Sequence, residues 1–362
     1  MTRARRRITF YTLTLIFLIA GPLLVAYSLG YVYDFSTASL EQTGGVFVKA
    51  ETPRLAVFFD NAFFRETSLL TGSAFLTDIR EGTHLVRLEK EDFHQWSKTV
   101  FVEPATVTEL RDIVLIPRSL ATATSSVAEL SRAEATSTPL EVLTINGKHQ
   151  LLAGRGKSAR VILENVYSFV GDGDDIFFVD QNGFFARLSR DTGTIATIGR
   201  PGFLLDGRPL RFIIGTRSLA LIDPSGGLFL YGKDAGILTA VASEILDASF
   251  DSKEEKLLLR KQQSIAVLWL TDNIYQPLQQ KGIMEEVLTD TVAILDARWF
   301  YATDAHVVWR TRDGIYFAEI DHRGGINKTE LVSDTADELL TYPSVPNAIF
   351  WRIRKNIYKT EL

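Results

Sequence analysis

The 362-residue chain contains no cysteine and only five histidines. The missing cysteine excludes disulfides, thiolate metal sites, a cysteine nucleophile and a lipid-attachment cysteine, so stability has to come from packing. Also missing is a net basic surface. The formal charge is −5, and subtracting Arg3, Arg5, Arg6 and Arg7 (−5 − 4) leaves about −9 on the remainder, which argues against a nucleic-acid partner. No serine, histidine and acid spacing matches a known hydrolase, and no paired acids or metal-ligand set stands out, so no catalytic, cofactor-binding or metal residue is assigned. Apolar content of 46% with 23% charge is ordinary for folded domains, and the length exceeds what one core organises.

What is present begins with an uncharged stretch, Ile8 to Tyr33, behind a basic tail at 1–7. It is longer than the roughly 20 residues a helix needs to cross the hydrocarbon core. A cleaved signal would have a shorter apolar run and a small-x-small site, and neither is evident. An uncleaved anchor over 8–33 is expected. Arginines on one flank and Asp34 and Glu41 on the other place the N-terminus in the cytoplasm and the bulk outside. Pro22 is tolerable in such a helix, and Tyr27, Tyr31 and Tyr33 suit the outer interface.

From Gly44 the text becomes short apolar runs bounded by Gly, Pro and Asp-Asn, which read as strands of a small β-sandwich. Within it "FLTDIREGTHLVRLEKEDFHQWSKTVFV" supplies a turn glycine (Gly82), a strand (Leu85, Val86, Leu88), a lysine (Lys90), the pair Asp92-Phe93, and then Trp96 and Lys98. Upstream, Pro53 and Ala56 precede a hydrophobic strand and an Asp-Asn turn, with Arg54 and Leu55 between them. This pattern over 44–117 resembles a PEGA domain, although Arg54 and Leu55 stand where that family's motif has Glu and Gly. The resemblance implies an immunoglobulin-like surface module of envelope proteins, a spacer or adhesion element without catalytic residues. His84 and His94 lie in or beside predicted strands with no second ligand at metal spacing. Trp96 is expected in the core rather than as a sugar platform.

After Pro117 the composition turns small and polar, without an aromatic residue, so 118–140 is expected to be a tether or loosely helical connector. Hairpin-like pairs then recur at 174–188, 218–232, 256–270, 306–320 and 348–362, each preceded by a further apolar run. Asn182-Gly183, Gly226-Gly227 and Asp313-Gly314 are two-residue turn signals. The final hairpin repeats its predecessor in register: Trp309/Trp351, Arg310/Arg352, Arg312/Arg354, Ile315/Ile357 and Tyr316/Tyr358. Ile245-Leu246-Asp247-Ala248 likewise returns as Ile294-Leu295-Asp296-Ala297. Four short antiparallel strands about every forty residues is the period of propeller blades. "ASFDSKEEKLLLR" resembles a WD-repeat-like blade, though the Gly-His and Trp-Asp signatures are missing. The fold class is therefore all-β: anchor, sandwich, and a β-propeller over 141–362 with five blades, or six if 141–163 supplies more than one strand. Because the last blade stops after its third strand, a strand from 141–163 is expected to complete it.

Two motifs are set aside. Gly156-Lys157-Ser158 lacks the upstream glycine of a phosphate loop, whose position holds Leu151. Asp172, Asp174 and Asp175 sit where a turn is needed and read as that turn rather than as a calcium site. Arg310, Arg312, Arg352 and Arg354 read either as solvated strand faces or as the lining of a channel for an anionic polymer. His149, His306 and His322 are scattered through the repeat. The expected function is a single-pass, extracytoplasmic binding or scaffold protein of the cell envelope, with an envelope protein or polysaccharide as partner. The alternative is an envelope hydrolase or lyase with its site in the propeller channel.

Overall fold

The computed structural model describes residues 3–34, 38–134, 142–154, 156 and 159–362, and the fold is all-β apart from two helices. It divides into two compact units. The first joins residues 1–119 to two later segments, Ile274–Leu278 and Asp321–Asn327; the second takes the rest.

In the first unit the helix Arg3–Ser28 contains a 24-residue stretch, Arg5–Ser28, that is long and apolar enough to cross a membrane, and none of its side chains is buried in protein. At 1.5 Å per residue it is about 36 Å long. A hairpin, Tyr31–Asp34 with Ser39–Gln42, leads into a sandwich. One sheet orders Ser73–Ile79, Gly44–Ala50 and Val107–Ile113, the second pair being parallel. The other orders Ala62–Glu66, Ala56–Phe59, Gly82–Glu89 and Trp96–Val102, all antiparallel. Strict alternation turns Val46, Val48, Leu76 and Leu110 of one sheet towards Val57, Val86, Leu88, Val100 and Val102 of the other, forming one core. Trp96 lies in that core, as its sequence context suggested. Gly72, at φ +63°, seals one end; a Cβ there would stand 2.1 Å from the Ala50 carbonyl oxygen.

The second unit holds six sheets in series. The first is three-stranded: Leu143–Ile145, Leu151–Ala153 and Arg160–Leu163. Four complete meanders follow, beginning at Val166–Asp172, Arg211–Ile214, Asp247–Phe250 and Asp296–Phe300. The sixth comprises Glu338–Thr341, Ala348–Ile353 and Asn356–Glu361 with one borrowed strand. First strands of consecutive sheets adjoin from the first sheet to the sixth, the radial order of a propeller. Second and third strands are apolar on both faces because they are covered on both: Ser264–Trp269 is buried at every residue. Fourth strands such as Ile195–Gly199 are largely exposed. Among the two blade counts expected from sequence, the described residues form six sheets, five of them four-stranded.

Two expectations need correction. The strand that completes the last sheet is not from 141–163 but Ala123–Ser125, which pairs antiparallel with Asn356–Glu361 (Ala123 opposite Lys359, Thr124 opposite Tyr358, Ser125 opposite Ile357). Nor is 118–140 a tether throughout. Helix Val127–Glu134 buries Leu130 and Ala133, and Leu130 packs with Ala348, Phe350 and Ile357. Its first turn is capped, the Ser126 Oγ accepting from the Glu129 N–H at 3.1 Å. Composition misled because a three-residue edge strand and a two-turn helix need only one or two apolar side chains when the opposing sheet supplies the rest of the core. The end of this stretch, 135–140, lies outside the described residues.

Candidate binding surface

The repeated phrase fixes the inner architecture of the last blades. Trp309 is paired across strands with Tyr316, and Trp351 with Tyr358. The rings stack with centroids 5.5 and 5.9 Å apart. The Lys328 ammonium caps the first pair, 4.5 Å from the Tyr316 ring and 5.0 Å from Trp309, and bonds the Asp290 carboxylate at 2.9 Å. Burial raises the Asp290 carboxyl, but bonds from Lys328, the Val292 N–H and the Trp309 indole outweigh it and hold the group below its usual range.

The arginines separate into two classes. In three consecutive sheets the first residue of the first strand is acidic and its cross-strand neighbour is arginine: Asp247 opposite Arg260, Asp296 opposite Arg310, Glu338 opposite Arg352. Arg310 is buried; its Nε and Nη2 each lie 2.7 Å from the Asp296 Oδ2, while Nη1 donates to the Ala336 carbonyl of the next sheet at 2.7 Å. Arg260 repeats the reach, its Nη1 donating to the Ile294 carbonyl at 3.0 Å. Arg298 adds a third link, from the fifth sheet to Asp247 of the fourth at 2.9 Å. These groups staple one sheet to the next. Arg310 is therefore neither a solvated face nor a free channel lining, and Arg352 pairs with Glu338 at 3.1 Å while remaining partly exposed.

Arg312 and Arg354 belong to the second class. Both sit on turns between second and third strands and are exposed, Arg312 at 76%, its guanidinium 3.5 Å from the exposed Asp313. Lys261 and Lys355 occupy the same turns in the fourth and sixth sheets. Immediately beside them, joined by hydrogen bonds from the Leu246 N–H to the Arg260 carbonyl and from the Leu295 N–H to the Arg310 carbonyl, are two exposed leucines at equivalent positions, 37% and 40% accessible. The turn end of the fourth and fifth sheets thus pairs an exposed leucine with a neighbouring cation, while in the sixth the equivalent residue is Asp337, whose N–H bonds the Arg352 carbonyl and whose carboxylate accepts from the Arg354 N–H. The sequence repeats marked these positions, but nothing in them distinguished the stapled arginine from the exposed one two residues later.

The remaining motifs resolve into structure. Gly173, at φ +57°, and Asp174 form the turn of a hairpin in which Asp172 opposes Asp175; their carboxylates pair with Lys233 and Arg187. Lys157 and Ser158 lie outside the described residues. His84 bridges the Asp60 carboxylate (2.7 Å) and the Arg80 carbonyl (2.9 Å). His149 meets Gln181, and His306 bonds Thr303 and stacks on Phe317, so the three stand in separate structural roles. A polar cluster in the fourth and fifth sheets pairs the buried Lys256 with the fully buried Asp251 at 3.0 Å. Nearby, burial pushes the Asp304 carboxyl up despite two bonds from Ser252, and pushes the Tyr301 hydroxyl to about 12. Among the described residues no three His, Asp or Glu side chains are grouped to hold a metal ion.

No protein-family model matches the sequence, and no curated protein does. Solved structures with a similar chain trace include the β-propeller domain of Cps50 (Swd1) from Myceliophteria thermophila, at 10% identity and a TM-score of 0.37. That likeness covers 52% of this chain and 62%, less than two thirds, of the other. BamB from Moraxella catarrhalis is similar at 11% identity and 0.40, covering 92% and 91% of the two chains. YCF48 is similar at 12% and 0.40, covering 88% and 96%. These likenesses are weak, and the propeller assignment stands on the sheet order and burial described above.

Proposed function

We propose that this is a single-pass, extracytoplasmic binding or scaffold protein of the cell envelope, whose propeller presents a protein- or polymer-binding surface at its turn end. The observation that carries the reading is the juxtaposition of exposed Leu246 and Leu295 with Lys261, Arg312, Arg354 and Lys355 on adjacent sheets. Two apolar anchors with cations on the adjoining turns, set among the acids Asp313 and Asp337, favour a mixed polar and apolar partner surface. The arginines before Ile8 and the fully exposed apolar helix support an anchor with its N-terminus in the cytoplasm. The sandwich between anchor and propeller suits the PEGA-like spacer role expected from sequence.

The test uses the full chain in its own membrane with a photo-crosslinking residue placed singly at Leu246, Leu295 or Arg312, and at exposed Ile237 as control. Crosslinks to one discrete envelope component from the first three positions and not from Ile237 support the reading. Equal labelling from all four, or protection of residues 44–362 from protease added to spheroplasts, refutes the surface or the topology respectively.

A further inference from the structure

A second, chemically different site lies in the first unit. Strand Trp96–Val102 sends Trp96, Lys98, Val100 and Val102 inward, so that Thr99, Phe101 and then Glu103 line its outer face two residues apart. Thr83 stands directly opposite Phe101 on the neighbouring strand. The segments Ile274–Leu278 and Asp321–Asn327, part of the same unit, rise beside this face and enclose a cleft of about 480 Å³ lined by Thr83, Thr99, Phe101, Glu103, Gln276 and Arg323. That volume is within the roughly 300–1,000 Å³ of small-ligand sites.

The walls are pinned. Arg323 spends four of its five N–H groups internally: Nε and Nη2 on the Asp321 carboxylate (3.0 and 2.7 Å), Nη1 on the Gln276 Oε1 (2.8 Å), and Nη2 also on the Glu109 carbonyl (2.9 Å). The Gln276 side chain closes the circuit, accepting from the Glu109 N–H and donating to the Val107 carbonyl, both at 3.0 Å. Asn327 bonds both backbone groups of Ser97 at 3.1 Å. Gly324, at φ +61°, lies so close that a Cβ would stand 1.7 Å from the Thr99 carbonyl oxygen.

What the cleft leaves unspent is an aromatic ring 54% exposed, the hydroxyls of Thr83 and Thr99, and the Glu103 carboxylate. Among the described residues of the lining the one cation, Arg323, is neutralised by Asp321 and has four of its five N–H groups committed, so the cleft favours a neutral ligand over an anionic one. An exposed ring takes the C–H face of a pyranose, while a carboxylate and two hydroxyls flanking it accept and exchange hydrogen bonds with sugar hydroxyls. We propose that this cleft binds a hexopyranose unit of a neutral or N-acetylated glycan. The site is independent of the propeller surface, so either reading can fail alone.

Isothermal titration of the detergent-solubilised full chain with cellotetraose, maltotetraose and chitotetraose, and with tetragalacturonate as the anionic comparison, tests it. Saturable one-to-one binding of at least one neutral or N-acetylated oligomer is expected. Phe101→Ala should weaken it about tenfold or more and Glu103→Gln several-fold, with melting of both variants unchanged because both side chains are exposed. No heat with any neutral oligomer up to about 10 mM, preference for tetragalacturonate, or affinity unaltered by Phe101→Ala overturns the proposal.

Discussion

Replacing Leu130 by alanine probes whether the segment before the propeller belongs to its core. Leu130 is 6% exposed on helix Val127–Glu134 and packs against Ala348, Phe350 and Ile357 of the last sheet. The helix has eight residues, too few to be stable alone, so its packing is what holds it. The Ser344 Oγ donates to the Ala133 carbonyl at 2.7 Å, the Lys359 ammonium meets the Glu129 carboxylate at 3.0 Å, and strand Ala123–Ser125 is paired just upstream. Leucine-to-alanine changes in cores cost about 2–5 kcal/mol, and a site at the rim of a sheet falls towards the lower end, about 2–3 kcal/mol. For a unit of this size that corresponds to a fall in Tm of about 5–10 °C. The assay is urea and thermal unfolding of the solubilised full chain, with Val127→Ala, on the same helix but 70% exposed, as comparison. The comparison should shift by no more than about 0.5 kcal/mol. If Leu130→Ala is as silent as Val127→Ala, the segment is a tether after all and the closing strand does not secure the propeller.

Two further outcomes follow from the staples and turns. Arg310→Met should cost about 3 kcal/mol in urea unfolding, because it removes the closest partner of the Asp296 carboxylate, leaving Arg298 at 3.8 Å, and the donor to the Ala336 carbonyl, and Arg310→Lys should recover only part of the loss since one ammonium cannot serve both; full recovery by lysine would show that geometry is irrelevant there. Asp223, buried on the turn after strand Ser218–Ile222, is raised by burial, but bonds from the Leu204, Ser225 and Gly227 N–H groups and the Ser225 hydroxyl take its carboxyl below the usual range. A carboxylate lowered on folding stabilises above its unfolded value of about 3.9 and loses that contribution as pH falls through the folded value. Asp223→Asn should therefore destabilise by about 2 kcal/mol or more at pH 7 and progressively less towards pH 3, read as converging melts; a pH-independent difference contradicts the assignment.

Much of the architecture was written locally. The uncharged run after four arginines determined an apolar helix, and alternation from Val46 to Val102 determined which face of each sandwich strand is buried. Asn182-Gly183 and Gly226-Gly227 marked hairpins, though each loop closes over three residues, 181–183 and 224–226, rather than two, with Gly183 and Gly226 at positive φ as the last of the three. The doubled phrase, Trp-Arg followed by Ile-Tyr, determined register, because each tryptophan meets its tyrosine across the strand pair in both copies. These features depend on neighbours a few residues away, and a chain carries such information in its periodicity.

The rest required distant partners. Ala123-Thr124-Ser125 has no strand signature; it becomes a strand because the edge of Asn356–Glu361, more than two hundred positions later, presents unpaired backbone groups that must be satisfied. Arg310 and Arg312 stand in one phrase two residues apart, yet one is sealed against Asp296 and Ala336 while the other reaches solvent, a distinction made by the neighbouring sheet alone. The cleft beside Phe101 needs segments from residues 274–278 and 321–327 to give the sandwich face a wall. Burial and the satisfaction of polar groups are properties of whatever surface the fold brings alongside, and no local pattern along the chain encodes which surface that is.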